Sequence, residues 1–228
     1  MKTFVHSGHT GDIIFSLPTI KAMGGGTLLI HNFHKQRYNS VKSLLEAQTY
    51  IDGVAWVDTK PSGVVDLDKF REHAGNYNNL VECHFKGQGL NPDEHQWWRD
   101  GWLTLPHEMT LINGIKYSLI NRTTNYADPH CDWNKEVDYL KSISDEVYFI
   151  GYPEEYAIFN CIFNRETKYF TCNFLEAAYL MKKAVIFTGC YSALSTVAMG
   201  LGIPYRLEQA PGHTCSSLLM PRETIINA

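Results

Sequence analysis

An aspartate at the start of a helix, bracketed by glycines, is the first group in this 228-residue chain equipped to do chemistry. The stretch Ser7-Gly8-His9-Thr10-Gly11-Asp12 follows a short β-rich run and precedes the apolar Ile13-Ile14-Phe15. Glycines let the backbone turn tightly and let a ligand come close. A helix start offers unpaired N–H groups and the positive end of a dipole to an anion or a polarised hydroxyl. A carboxylate there has two uses: it caps the helix, or it acts as a base facing a cleft. A second turn, Gly189-Cys190-Tyr191-Ser192-Ala193, closes the apolar run Val185-Ile186-Phe187-Thr188. Ser192 stands at an N-cap position, and the helix behind it can hold a phosphate or diphosphate. The same pattern is also that of an ordinary strand–helix unit whose serine is only a cap.

The elements around these turns alternate. The pattern predicts a strand over Thr3–Ser7 and a helix over Asp12–Met23. Pro18 inside that helix predicts a start near Phe15 or a bend, and Gly24-Gly25-Gly26 ends it. A strand over Thr27–His31, a helix over Lys35–Gln48 and strands over Val54–Val57 and Asn79–Cys83 follow. Between Lys86 and His107 the rhythm breaks into a loop-like stretch and a cluster of Trp97, Trp98 and Trp102, which places the domain boundary at 112/113. The second half predicts strands at Lys116–Ile120, Glu146–Gly151, Thr167–Phe170, Ala184–Gly189 and, last, Tyr205–Glu208. Helices are expected over Asn134–Ser142, Pro153–Phe159, Phe174–Lys182 and Ser192–Leu201. The fold class is α/β: two small Rossmann-like domains, 1–112 and 113–228, facing a cleft.

Composition narrows the function classes. With 44% hydrophobic and 19% charged residues the chain reads as a soluble globular protein with a real core. Its formal net charge of -4 argues against non-specific nucleic-acid binding, which needs surplus Lys and Arg. The sequence has no apolar run of membrane-spanning length and no basic-then-apolar signal-peptide pattern, so a cytoplasmic location is expected. Six widely spaced cysteines without a CxxC pair read as reduced, mostly buried thiols. His31 and His34 lack a third ligand nearby, so no metal site is expected.

Two such turns, one in each half, resemble those of the GT-B glycosyltransferases and, more narrowly, the family 9 heptosyltransferases. Those enzymes open with a strand, a Gly-Asp, an apolar stretch and Leu-Pro, which stands here as Gly11-Asp12-Ile13-Ile14-Phe15-Ser16-Leu17-Pro18. Their late Gly-x-x-Ser turn and helix, ending in Leu-Gly-x-Pro, is matched by Gly189, Ser192, Leu201, Gly202 and Pro204. The resemblance covers the opening strand and helix and most of the second half, and the middle matches only in layout. It implies Asp12 as the catalytic base and the Ser192 turn as the seat of a donor diphosphate. No cofactor is implied beyond the nucleotide sugar itself. Cys190 stands where the family usually has Asp or Asn, and the chain would be a shortened form.

Further residues fit the same reading. Arg122 and Thr123 follow the strand Lys116–Ile120, where a guanidinium suits a diphosphate. Gly151, ahead of Tyr152, could face the nucleoside, Tyr191 and Ala193 belong to the Ser192 turn, and Glu208 could accept from a ribose hydroxyl. On the acceptor side stand His9, Gly11, Glu82 and His84, with Glu82 and His84 expected at a strand end. Trp98 is expected as the indole left free to contact an acceptor, the rest of its cluster being core. The function expected is an inverting, metal-independent transfer of sugar from a nucleotide-sugar donor to an acceptor hydroxyl. The acceptor is a saccharide in the first place and a hydroxylated base in DNA in the second. The alternative is a nucleotide or nucleotide-sugar binding protein without catalysis.

Overall fold

The computed structural model describes residues 2–31, 35–74, 79–124, 127–128, 130–208 and 223–226. The chain forms two compact units, divided between Pro106 and His107. In the first, β1 (Lys2–His6), α1 (Thr10–Ala22), β2 (Gly26–His31), α2 (Lys35–Glu46), β3 (Ile51–Val57) and β4 (Val65–Asp66) precede a 3-10 helix, Leu67–Glu72. Then come α3 (Leu80–Gly87) and a second 3-10 helix, Pro92–Asp100. The four strands lie in the order β3-β2-β1-β4, all parallel. The two-residue β4 is too short to show a period in sequence.

Helix α1 begins at Thr10 rather than near Phe15, and it runs through Pro18. Proline has no N–H, so the Ile14 carbonyl one turn earlier loses its helical donor. The indole Nε1 of Trp102 supplies that donor at 3.1 Å. Trp102 is buried, with its ring 5.9 Å from that of Phe15. The tryptophan cluster is therefore mostly core, and one member repairs the helix that carries Asp12.

The segment expected as a strand over Asn79–Cys83 is instead the start of α3. Asn79 caps it, its side-chain oxygen accepting from the Glu82 N–H at 2.9 Å. Val81 and Phe85, one turn apart, point into the core. A good cap followed by helical spacing outweighs the β-like look of so short a run.

In the second unit β5 (Tyr117–Asn121), α4 (Trp133–Ile143), β6 (Glu146–Ile150), α5 (Pro153–Phe163), β7 (Lys168–Phe170) and α6 (Phe174–Lys183) come first. They are followed by β8 (Phe187–Gly189), α7 (Ala193–Leu201), β9 (Tyr205–Glu208) and β10 (Glu223–Ile226). The sheet order is β10-β9-β8-β5-β6-β7, again parallel throughout. β10 lies beyond the strand expected to be last. The core beneath β5 and β6 holds Trp133, Phe149 and Phe159, with Trp133 and Phe159 edge to face at 5.5 Å.

Both sheets are doubly wound. Their strand order reverses between β1 and β4 in the first unit and between β5 and β8 in the second. Ligands of such sheets bind outside the carboxyl ends of the strands at that reversal. The fold thus singles out two places, the ends of β1 and β4 and the ends of β5 and β8.

Candidate functional site

At the reversal in the first unit, β1 ends in His6 and the chain turns through Ser7, Gly8 and His9 into α1. Each of these three turn residues has its backbone N–H taken by a side chain. Asp68 accepts from Ser7 N–H at 3.1 Å, His6 Nδ1 from Gly8 N–H at 2.8 Å, and Asp12 Oδ2 from His9 N–H at 3.2 Å. Asp68 also accepts from the Ser7 hydroxyl at 2.7 Å and from Arg71 at 2.9 Å. Burial works against the Asp68 carboxylate, yet these donors hold its pKa below the usual range. Asp12 goes the other way, since burial raises its pKa against the pull of the His9 N–H.

Behind the turn sit two fully buried histidines. His6 and His84 have ring centroids 5.3 Å apart, and His84 stacks on Phe70 at 4.2 Å. Burial pushes the His6 pKa down to about 4, and burial together with His6 drives that of His84 well below its ordinary value. Both rings are therefore neutral at neutral pH. Since His6 Nδ1 accepts from Gly8, its proton sits on Nε2. Among the described residues neither His6 Nε2 nor either nitrogen of His84 has a hydrogen-bond partner.

The remaining acceptor-side residues are placed differently from one another. His9 is the exposed N-cap of α1, and Gly11 lies in its first turn. Glu82 and His84 sit on α3 rather than at a strand end, and the Glu82 carboxylate is engaged by Arg99 at 3.3 Å. Trp98 is 0% exposed, which removes it as an acceptor platform. The half-buried indole of the cluster is Trp97, covered by the Lys21 ammonium at 4.2 Å.

At the reversal in the second unit, Asn121 ties the strand ends together. Its Nδ2 donates to the Ile150 carbonyl at the end of β6 (2.9 Å), and its Oδ1 accepts from the Ser192 hydroxyl (2.7 Å). Its own carbonyl accepts from Cys190 N–H just beyond β8. Gly151 leaves room for this arrangement: at its φ of +143°, a Cβ would stand 2.6 Å from Asn121 Nδ2. Ser192 caps α7, its Oγ accepting from Ser195 N–H while Ser195 Oγ accepts from Ser192 N–H. The first-turn amides of Ala193 and Leu194 have no intrahelical acceptor, so α7 presents donors and a positive dipole end beside Asn121.

Arg122 and Glu208, expected at two ends of a donor, bind each other instead. Arg122 Nε lies 3.1 and 3.2 Å from the two Glu208 oxygens, and Nη2 lies 3.0 Å from Oε1. Asp128 N–H adds a third donor to Glu208 at 2.6 Å. Glu208 is 0% exposed and Arg122 8%. The register explains the meeting. Asn121, Gly189 and Leu207 lie level across β5, β8 and β9, so Arg122 and Glu208 each stand one residue beyond. Between them Cys190 is buried, its thiol pushed up to about 11 by burial and so neutral. Its sulfur accepts from Thr123 N–H at 3.1 Å and contacts the Thr123 hydroxyl at 3.4 Å. Tyr191 is also buried. Thus Gly151, Ser192 and Ala193 stand at the strand-end site, Thr123 is pinned by Cys190, and Arg122 with Glu208 forms the frame.

His6, Asp68 and Asn121 did not stand out in the sequence, and Gly8 stood out only as a turn glycine. Asp68 and Asn121 make their contacts across the chain, and only Asn121, at a predicted strand's end beside Arg122, offered a signal. Among the described residues no three or more His, Cys, Asp and Glu side chains are grouped to hold a metal, and no helix is long and apolar enough to cross a membrane. Of the cysteines described, Cys83, Cys131 and Cys190 are buried, Cys172 is partly buried and Cys161 exposed, all as free thiols. Cys215 and His34 lie outside the described residues.

No protein-family model matches the sequence, and no curated protein sequence matches it. Solved structures do match. A glycosyl transferase family 9 protein from Veillonella parvula aligns over 99% of this chain and 85% of its own, with a TM-score of 0.71 and 11% identity. The E. coli heptosyltransferase WaaC, solved with ADP-2-deoxy-2-fluoro heptose, aligns over 100% of this chain and 93% of its own, with a TM-score of 0.64 and 11% identity. TibC from enterotoxigenic E. coli, described as an iron-containing dodecameric glycosyltransferase, aligns over 97% of this chain and 61% of its own, with a TM-score of 0.59 and 16% identity. This chain has the fold of these GT-B glycosyltransferases. At such identities the likeness is one of fold, and it runs through both units.

Proposed function

We propose that the chain is an inverting glycosyltransferase that moves a sugar from a nucleotide-sugar donor to an acceptor hydroxyl, with Asp12 as general base. The observation that carries this reading is the state of Asp12. It is a carboxylate at the strand-order reversal of the first sheet, with one oxygen held by the His9 N–H and its pKa raised by burial. A raised pKa makes the carboxylate a better proton acceptor than an exposed aspartate.

In the step, the acceptor oxygen bonds to the anomeric carbon as its proton passes to Asp12, and the bond from that carbon to the diphosphate oxygen breaks. The charge that develops on the leaving nucleoside diphosphate is met by the amides of Ala193 and Leu194, the Ser192 turn and the dipole of α7. Asn121 holds that helix start through the Ser192 hydroxyl, and the buried Arg122–Glu208 pair ties the ends of β5 and β9. The reading assigns leaving-group stabilisation to protein groups and is metal-independent. ADP-heptose is the first donor to try, because WaaC is solved with an ADP-heptose analogue, and a saccharide is the first acceptor class.

The test is turnover of nucleotide diphosphate sugars by the purified chain, with the anomeric configuration of the product read by NMR. Asp12→Asn is expected to lose transfer by about 10²–10⁴-fold, as for removal of a general base, while retaining nucleotide binding in a thermal-shift assay. Undiminished turnover in that variant would remove Asp12 from the chemistry. Nucleotide binding with no transfer from any donor would leave a non-catalytic binding protein.

A further inference from the structure

Asp12 holds the turn before it through His9 N–H, and that turn in turn constrains Asp12. Gly8 is the point of closest approach. A Cβ built there would stand 2.8 Å from Asp12 Oδ2, 2.9 Å from Asp12 Cβ and 2.5 Å from His6 Cε1. The backbone of Gly8 is not in the left-handed region, so its lack of a side chain serves the space between the His6 ring and Asp12 and not a positive φ. Its N–H is fixed by His6, and the preceding residue is fixed twice by Asp68, through Ser7 N–H and the Ser7 hydroxyl. With Oδ2 taken by His9 N–H, the second carboxylate oxygen is the one left for an acceptor.

We propose that Gly8, His6 and Asp68 are positioning residues that aim the Asp12 carboxylate at the acceptor hydroxyl. The inference rests on the reading of Asp12 as base. It also sorts the two turns by ligand. The β1–α1 turn has its Ser7, Gly8 and His9 amides occupied and two carboxylates beside them, so it takes a neutral hydroxyl and not a phosphate. The α7 start takes the phosphate.

Gly8→Ala tests this with the Asp12 carboxylate still in the chain, by crowding it and the His6 ring. The groups facing Asp12 are His6 on β1, His9 at its own helix start, Asp68 and Arg71 on the 3-10 helix and His84 on α3, and all of them remain. The added methyl pushes the carboxylate towards water. A fall of about 10²-fold in kcat is expected, the scale of a 1 Å misplacement, with donor KM unchanged. The acid limb of the kcat profile should move to lower pH, because burial is what raises the Asp12 pKa. A loss of folding alone would lower active protein without moving that limb. As a second probe, Asp68→Ala should lower kcat by about tenfold, on the same positional scale, and Asp68→Asn should restore most of it by accepting again from Ser7 N–H. Wild-type kcat and acid limb in Gly8→Ala, with Asp12→Asn inactive, would overturn the positioning role and leave the base standing. Full turnover in Asp12→Asn would instead overturn the base reading.

Discussion

His6 and His84 make the first unit sensitive to acid. Burial takes His6 from its ordinary 6.5 to about 4, and His84 shifts in the same direction. Between those pH values the unfolded chain binds more protons than the folded one, so stability rises with pH across that window. The contribution is complete above about pH 6.5 and is lost as pH falls towards 4, at no more than about 1.4 kcal/mol per pH unit for each ring. Urea midpoints should therefore fall between pH 7 and pH 5. His84→Phe should make that fall shallower, since it removes one titrating ring while keeping the stack on Phe70. At pH 7 the same variant should be as stable as wild type or more so, because it deletes two nitrogens with no partner among the described residues. It should also keep near wild-type turnover; loss of turnover with the fold intact would return His84 to the chemistry. Asp12 was legible in sequence because strand, glycine, acid and helix lie in one run. His6 and Asp68 were not, because Asp68 reaches Ser7 from 61 residues away; Gly8 was legible as a turn glycine but not as the space beside Asp12, since a missing Cβ has meaning only beside its neighbours.

At the scale of elements, the second sheet is tied by buried charge. Arg122 directly follows β5, Glu208 ends β9, and each is the other's main partner. Breaking such a pair leaves an uncompensated charge in the interior and costs on the order of 3–5 kcal/mol. Glu208→Gln should accordingly lower the urea midpoint strongly, and reduce donor affinity only as far as the fold is lost. A ribose contact would behave in the opposite way, with affinity falling at unchanged stability. The two turns are also separable as anion sites. Titration with inorganic pyrophosphate should shift the NMR amide signals of Ala193, Leu194 and Ser195 and leave those of Ser7, Gly8 and His9 in place; the reverse pattern would exchange their roles. Periodicity found most helices and strands because their apolar faces are regular. It failed at Asn79–Cys83, where a capping asparagine starts a helix, and at β4, whose two residues carry no pattern.

At the scale of the whole molecule, each unit has its own sheet and its own interior, so ligand linkage should be local. A nucleoside diphosphate at about 100 times its Kd stabilises whatever binds it by about 2.7 kcal/mol. Hydrogen exchange should show that protection in β5, β8 and α7, with β1 and β2 exchanging as before. Protection confined to the first unit would contradict the placement of the donor. The doubly wound character of both sheets was readable from strand–helix alternation, and it directs attention to the strand ends without any knowledge of a ligand. What the alternation could not supply is which polar groups would be used up by one another. Arg122 and Glu208 lie 86 residues apart, and nothing local announces that they meet.

Pro18 and Trp102 carry a consequence of another kind. With proline at 18, the Ile14 carbonyl depends on the Trp102 indole for its donor. A carbonyl has two lone pairs and can serve two donors. Replacing Pro18 first would restore the helical N–H and leave the indole bond in place, whereas replacing Trp102 first would strand a buried carbonyl. The order of substitution therefore matters. A lineage could shed the tryptophan only after shedding the proline, and a protein drifting from this one would be barred from half of the two-step paths between the same endpoints.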